Sequence, residues 1–211
     1  MIRSAVRCLV AAAVQMLAAS ASLGGQQPTT ASDLPPQLSA AARQAIARLG
    51  DSLRAVRLPD EPLYAKAAEG VLKGAEEARI VAAVRTLARE LGEARSSLGD
   101  AADVAELVAG ASALHVGATP AMLKRLRETH FAAGESGTSL ATPLVALADL
   151  LTRRVPPPIA AAAIDSLVAR RAPGDDFAAL RAAVERDIDA GRAPEASVTT
   201  RMQGLLRRRS P

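Results

Sequence analysis

Aromatic side chains are scarce in this chain, and their scarcity restricts the folds that it can adopt. Tyr64, Phe131 and Phe177 are the only aromatic residues among 211, while 49% of the residues are hydrophobic and 23% are charged. That balance is typical of a globular chain, so its core must form from alanine and aliphatic residues. Small side chains let helices pack closely, whereas sheets usually draw on β-branched and aromatic residues. We therefore predict an all-α fold.

Apolar residues recur at helical spacing in seven to eight short segments of the sequence. The clearest stripe combines Ile80, Val84, Leu87 and Leu91, and it predicts a helix from about residue 75 to 95. We predict one helical domain over residues 37–206. Its seven to eight short helices would form an orthogonal bundle or a short α-solenoid-like array of helix pairs.

Similar turns recur along the predicted domain. They lie at Gly74, Gly117, Arg154 and Gly191, at intervals of 43, 37 and 37 residues. Each interval holds two helices, which is the size of the repeat unit in α-solenoids. Because an antiparallel bundle of short helices gives similar intervals, both architectures stay open.

Residues 1–21 have the three-part pattern of a secretory signal peptide. Arg3 and Arg7 precede an apolar run that begins at Cys8, and the small residues that end at Ala21 fit a cleavage site. We expect cleavage after Ala21 and an exported protein, periplasmic or extracellular, with no membrane attachment afterwards. If the segment were retained instead, the chain would be a membrane-tethered accessory protein.

Two short segments flank the predicted domain. Residues 22–36 are rich in Gln, Pro, Ser and Thr, which predicts a flexible leader. Residues 207–211 begin with three consecutive arginines and form a basic tail. Elsewhere acidic and basic residues are mixed, so the net charge of +4 is spread along the chain. Without an extended basic tract, we do not expect a nucleic-acid partner.

Cysteine chemistry and the usual zinc motifs need residues or spacings that the mature chain would lack. Cys8 is the only cysteine and lies in the predicted signal peptide, so disulfides, thiol nucleophiles and cysteine metal ligands are excluded. His115 and His130, the only histidines, do not have the spacing of a zinc motif. We predict no metal, no cofactor and no catalytic residue.

The stretch around Gly70, Lys73 and Gly74 superficially resembles a phosphate-binding loop. A P-loop needs glycines five positions apart, with lysine and then serine or threonine after the second. Here the glycines are four apart, Lys73 precedes Gly74, and no hydroxyl residue follows. We predict instead that Gly74 ends a helix with positive φ, and that Gly70 lets a neighbouring helix come close.

Lys66, Glu69 and Lys73 form the one candidate ligand-binding site that the spacing indicates. The two lysines lie two turns apart on one predicted helix face, with Glu69 between them, in a chain that otherwise prefers arginine. Lysine, unlike arginine, can be tuned in pKa by its surroundings. This face could therefore serve a binder of small anionic ligands or an enzyme, whereas a simpler interpretation is a pair of surface lysines.

The function that the sequence favours is that of an exported, non-enzymatic helical module. In this interpretation its partner is another protein, or the module has a structural role. A binder of small anions, or an enzyme, that uses the Lys66, Glu69 and Lys73 face is the alternative from a different functional class.

Overall fold

The computed structural model describes residues 30–135 and 137–208, and in these residues it contains no strand. A short 3-10 helix, Ala31–Asp33, precedes nine α-helices. They are α1 Ala40–Ala55, α2 Glu61–Leu72, α3 Glu77–Leu98, α4 Val104–His115, α5 Pro120–Ala132, α6 Ala141–Thr152, α7 Pro157–Ala169, α8 Gly174–Asp189 and α9 Pro194–Arg208. The prediction of an all-α fold is confirmed. The predicted signal peptide lies outside the described residues.

The described residues contain nine helices, so the predicted seven to eight was too low. The spacing pattern passed over α1, which begins after Ser39, whose hydroxyl accepts a hydrogen bond from the Ala42 amide. The buried residues of α1 are Ala42, Ile46, Gly50 and Leu53. Two of these four are alanine and glycine, which contribute little to a hydrophobic pattern.

The chain divides into two compact units, with the boundary inside α4 between Ala111 and Ser112. In the first unit α1 and α2 both pack against α3, and α1 contacts α2. The largest fully buried side chains there include Ile46, Leu63 and Tyr64. The single domain over residues 37–206 stays a prediction.

In the second unit, helices pack against the helix that lies two positions further along the chain. The pairs are α5 with α7, α6 with α8, and α7 with α9. Consecutive helices from α6 to α9 also contact each other. The core of this unit is aliphatic, and its fully buried side chains include Leu123, Leu144, Leu147, Leu150 and Ile164.

All four recurring turns have a residue in the left-handed region, as the sequence predicted for Gly74. The φ angles are 64° at Gly74, 110° at Gly117, 63° at Arg154 and 84° at Gly191. At Gly74 the amide donates to the Val71 carbonyl, and the next amide donates back to the Gly70 carbonyl. This pair of bonds is the Schellman motif, which satisfies the last carbonyls of a helix.

A second series of left-handed turns lies between those four. Gly134 and Arg171 have φ angles of 77° and 53°, and they too are 37 residues apart. From Gly117 to Gly191, both kinds of turn therefore recur with the interval that the sequence indicated. Arg57, with φ of 58°, ends α1 in the same way.

We expect opposite stability changes from two substitutions at these turns. Gly74→Ala should destabilise the fold by about 1 kcal/mol, because alanine is strained at positive φ and no side-chain contact compensates. Arg154→Gly should stabilise it by about 0.5–1 kcal/mol, since glycine removes the strain of an arginine at this φ. Urea denaturation of both variants measures the change, and a shift of the same sign in both would contradict the turn geometry.

Three apolar positions differ from their predicted burial. The spacing of Leu63, Ala67, Val71 and Leu72 predicts one packed side of α2, but Leu72 is 88% exposed, because it is the last residue before the helix ends. The spacing of Val104, Leu107 and Val108 predicts that Val104 faces inward, but it is the first residue of α4 and is 58% exposed. Leu87 is half-buried, whereas Val84 and Leu91 in the same helix are fully buried.

Candidate functional site

Lys66, Glu69 and Lys73 come together at the C-terminal half of α2. The Lys66 ammonium donates to Glu69 Oε2 at 3.0 Å, and the Lys73 ammonium forms an ion pair with Glu69 Oε1. All three side chains are about one-third exposed. Burial alone would raise the pKa of Glu69, but the hydrogen bonds and charges of Lys73 and Lys66 outweigh it and lower that pKa.

The two lysines are thus held by the chain's own carboxylate. Neither of the two cavities that we describe below is lined by Lys66, Glu69 or Lys73. The predicted spacing does bring the three residues together, yet both ammonium groups already bind Glu69. A ligand would have to compete with that carboxylate, so binding at this face stays a prediction.

A polar cluster around the buried residues Asp60 and Tyr64 links α1 to α2, and the sequence pattern did not indicate it. Asp60 Oδ2 accepts hydrogen bonds from the Tyr64 hydroxyl at 2.8 Å and from Arg54 Nη1 at 2.7 Å. Asp51 forms a second ion pair with Arg54. Tyr64 is fully buried, and burial, helped by the hydrogen bond to Asp60, raises its pKa to about 12. The phenol therefore stays protonated and acts as a donor.

Arg54 and Asp60 of this cluster line a cleft of about 680 Å³ in the first unit. The cleft lies where α1 and α3 end and α2 and α4 begin. Apolar residues and charged residues both line it. The apolar ones are Leu58, Pro59, Ala102, Val104 and Leu107, and the charged ones are Arg54, Arg57, Asp60, Glu61, Arg95 and Asp103.

Arg95 joins two of the turns that border this cleft. Its Nη1 donates to the Asp100 carbonyl at 2.6 Å, and its Nη2 donates to the Arg57 carbonyl at 3.3 Å. Both acceptors are neutral, so the carbonyls position the guanidinium without neutralising its charge. The Arg57 side chain is exposed and makes no hydrogen bond or ion pair with any described residue.

Each acidic residue of the cleft has a role within the fold. Asp60 is bound to Arg54 and Tyr64, as described above. Asp103 caps α4, because its carboxylate accepts from the Glu106 amide while the Glu106 carboxylate accepts from the Asp103 amide. Glu61 lies in the first turn of α2, where the helix dipole favours a negative charge.

A smaller apolar groove of about 260 Å³ lies between α5, α6 and α7 in the second unit. The short side chains of Ala161 and Ala162 leave room at its surface. Asp165 closes one side, since it accepts from Arg125 Nε at 2.8 Å and from the Thr129 hydroxyl at 2.7 Å. These two bonds tie α7 to α5.

Other ion pairs hold stacked helices together in the second unit. Arg153, just after α6, binds Glu185 of α8 at 2.7 Å. Arg181 of α8 binds Asp149 of α6. Burial raises the pKa of Asp149, although the charges of Arg181 and Arg153 oppose that shift. These charged groups therefore contribute to helix packing.

The histidines and carboxylates of the described residues do not form a metal site. No group of three or more His, Cys, Asp or Glu side chains in that part of the chain could hold a metal ion. His130 is buried, and its Nε2 donates to the Thr138 carbonyl at 3.0 Å, so it fixes the loop after α5. In residues 30–135 and 137–208, no helix is long and apolar enough to cross a membrane.

Glu77 at the start of α3 binds the start of α1 through both carboxylate oxygens. Its Oε2 accepts from the Ser39 amide at 2.7 Å, and its Oε1 accepts from the Ser39 hydroxyl at 2.8 Å. The backbone hydrogen bond is the main cause that lowers the pKa of Glu77 below its ordinary 4.5, and the hydroxyl adds to it.

The Glu77 contact should make stability depend on pH in a defined direction. Because the folded pKa is lowered, the stabilisation is present above the ordinary pKa and is lost as pH falls through the folded value. We expect Glu77→Gln to be less stable than the wild type at neutral pH and to lose less stability on acidification. Urea midpoints from neutral to acid pH measure this, with Glu76→Gln, an exposed neighbour, as control. Parallel pH profiles for wild type and Glu77→Gln would contradict it.

Comparison with known proteins does not assign a function to the chain. No family model matches the sequence. Searches of curated proteins and of solved structures find no significant similarity. The function must therefore be inferred from the chain's own residues.

Proposed function

We propose that the protein is an exported, non-enzymatic helical module that binds another protein through the cleft of the first unit. The observation that carries this proposal is the cleft's composition. Its apolar residues are bordered by charged ones, and Val104 on its lining is 58% exposed. Protein interfaces combine an apolar centre with a polar rim in this way, and arginine is enriched in them.

The packing of the second unit supports a scaffold role. Its helices stack on the next but one, and its left-handed turns recur every 37 residues. We infer a short α-solenoid-like array of helix pairs there. This is one of the two architectures that the sequence left open, the other being an orthogonal bundle. Arrays of this kind present extended binding surfaces, because every repeat adds to the same surface.

Export forms the other half of the proposal, and it depends on residues 1–21. We infer cleavage after Ala21, so the mature chain would begin at Ser22. N-terminal sequencing of protein recovered from the periplasm or medium tests this. A mature protein that still begins at Met1 would contradict cleavage and favour the tethered alternative.

Binding at the cleft can be tested with one substitution. The wild-type mature chain and the Val104→Asp variant are each immobilised and exposed to a periplasmic extract. The substitution places a charge on the cleft lining. An acidic residue at the first position of α4 is compatible with the helix dipole, so the variant should fold. Leu72→Asp is the matched control, because Leu72 is also exposed but does not line the cleft. We expect a partner that wild type and Leu72→Asp retain and that Val104→Asp loses. A capture that is equal for all three would reject the cleft.

A further inference from the structure

The arginine at position 57 is not explained by the fold. Its φ of 58° lies in the left-handed region, where glycine is favoured and an arginine is strained. Two other arginines lie in such turns. The Arg171 side chain binds the Ala133 carbonyl, whereas the Arg154 side chain, like that of Arg57, binds none of the residues that the structure describes. Unlike Arg154, Arg57 lines the cleft, and this position makes it a candidate for binding.

Arg57 and Arg95 together make a positive site in the cleft. The Arg95 guanidinium bonds to the Arg57 carbonyl, so it lies beside the turn that presents Arg57. Neither guanidinium has a carboxylate partner among residues 30–135 and 137–208. In contrast, Arg54 already shares its charge with Asp51 and Asp60. A guanidinium group without a carboxylate partner favours a carboxylate ligand, which it binds through charge-assisted hydrogen bonds.

Apolar lining residues follow both turns that Arg95 joins. Its guanidinium donates to the Arg57 carbonyl, which precedes Leu58 and Pro59, and to the Asp100 carbonyl, which lies two residues before Ala102. Val104 is the exposed apolar residue of this lining, so a ligand whose carboxylate meets the arginines would place an apolar group against it. Glu61 also lines the cleft and would repel a second negative charge.

We propose that the cleft binds a polypeptide segment in which a single Asp or Glu side chain is flanked by apolar residues, and that Arg57 is the residue that recognises this carboxylate. The inference rests on the proposed protein-binding function of the cleft and specifies the chemistry of the partner.

The test uses a phage-displayed library of random dodecapeptides, selected against the immobilised mature chain. We expect enrichment of peptides with one acidic residue between apolar ones. The best peptide is then synthesised with an acetylated N-terminus and an amidated C-terminus, and its binding is titrated by fluorescence anisotropy. Its Asn or Gln analogue should bind at least about tenfold more weakly, since one charge-assisted hydrogen-bonding group is lost. An amide-ended peptide without an acidic residue that binds equally well, or a failure to enrich any peptide, would overturn the proposal.

Arg57→Gly separates recognition from stability. This variant should melt about 2–4 °C higher than the wild type, because its backbone strain is relieved. It should nevertheless bind the selected peptide at least about tenfold more weakly. Arg154→Gly is the matched control, since it removes the same kind of strain away from the cleft and should leave peptide binding unchanged.

The outcomes distinguish this inference from the proposed function. If partner capture depends on Val104 while Arg57→Gly binds the peptide as the wild type does, the cleft binds protein and the role of Arg57 is wrong. If the Val104→Asp variant captures the partner as well as the wild type does, the proposed function itself is wrong. A peptide without an acidic side chain that binds only when it is synthesised with a free C-terminal carboxylate would also contradict the assignment to Asp or Glu.

Discussion

Gly50→Ala is expected to destabilise the first unit by about 3 kcal/mol or more. A Cβ atom on Gly50 would lie 2.1 Å from the Tyr64 hydroxyl oxygen and 3.0 Å from Cζ. Tyr64 cannot move away freely, because its side chain is fully buried and its hydroxyl donates to Asp60. Alanine must therefore separate α1 from α2 or break the Tyr64–Asp60 bond. Urea denaturation of the purified variant measures the loss of stability.

Gly92→Ala is the matched control for this effect. Gly92 lies inside α3, and a Cβ atom there would have no neighbour within 4 Å. Alanine is the better helix former, so this variant should be more stable by about 0.5–1 kcal/mol. If Gly50→Ala were as stable as the wild type, the close approach of α1 and α2 at Gly50 would be wrong.

Leu91→Ala is expected to cost about 2–5 kcal/mol, the range for removing a fully buried leucine side chain. Leu91 is 0% exposed and lies in α3, against which both α1 and α2 pack. The cavity left by the substitution has neighbours on several sides that cannot all move inward. The variant should therefore unfold at a clearly lower urea concentration than the wild type.

Two substitutions in the same helix give the scale for that measurement. Leu87→Ala should cost less than Leu91→Ala, because Leu87 is only half-buried. Arg85 is exposed, so Arg85→Ala should change stability by less than about 0.5 kcal/mol. If Leu87→Ala were the most damaging of the three, the packed face of α3 would be rotated from the one we describe.

Features that depend on a few neighbouring residues were predictable. The helical class followed from the lack of aromatic residues. The left-handed turn at Gly74 followed from glycine after an apolar helix, and the turns at Gly117 and Gly191 have the same form. The close approach at Gly70 was also predicted, and a Cβ atom there would lie 2.7 Å from Ile80 Cγ1. Local backbone preference and side-chain size decide these features.

Features that carry no clear local signal in the sequence were missed. The helix α1 escaped notice because alanine and glycine supply half of its buried positions. The strained turns at Arg57 and Arg171 carry no glycine to signal them. Helical spacing located the stripe of α3 correctly, but it overestimated the burial of Leu87 and of residues at helix ends, such as Leu72.

The candidate sites show the same division between sequence and structure. Lys66, Glu69 and Lys73 could be found from the sequence because one helix brings them together at a fixed spacing. The cleft could not be found from the sequence. Arg57 lies in a turn and Arg95 lies near the end of a helix 38 residues later, and only the fold brings them into contact. Periodicity shows which side chains share a face of one helix, whereas the packing of α1, α2 and α3 against one another decides which helix ends meet. The sequence by itself thus determined helices and glycine turns, and only the tertiary structure decided where unpaired charge and exposed apolar surface come together.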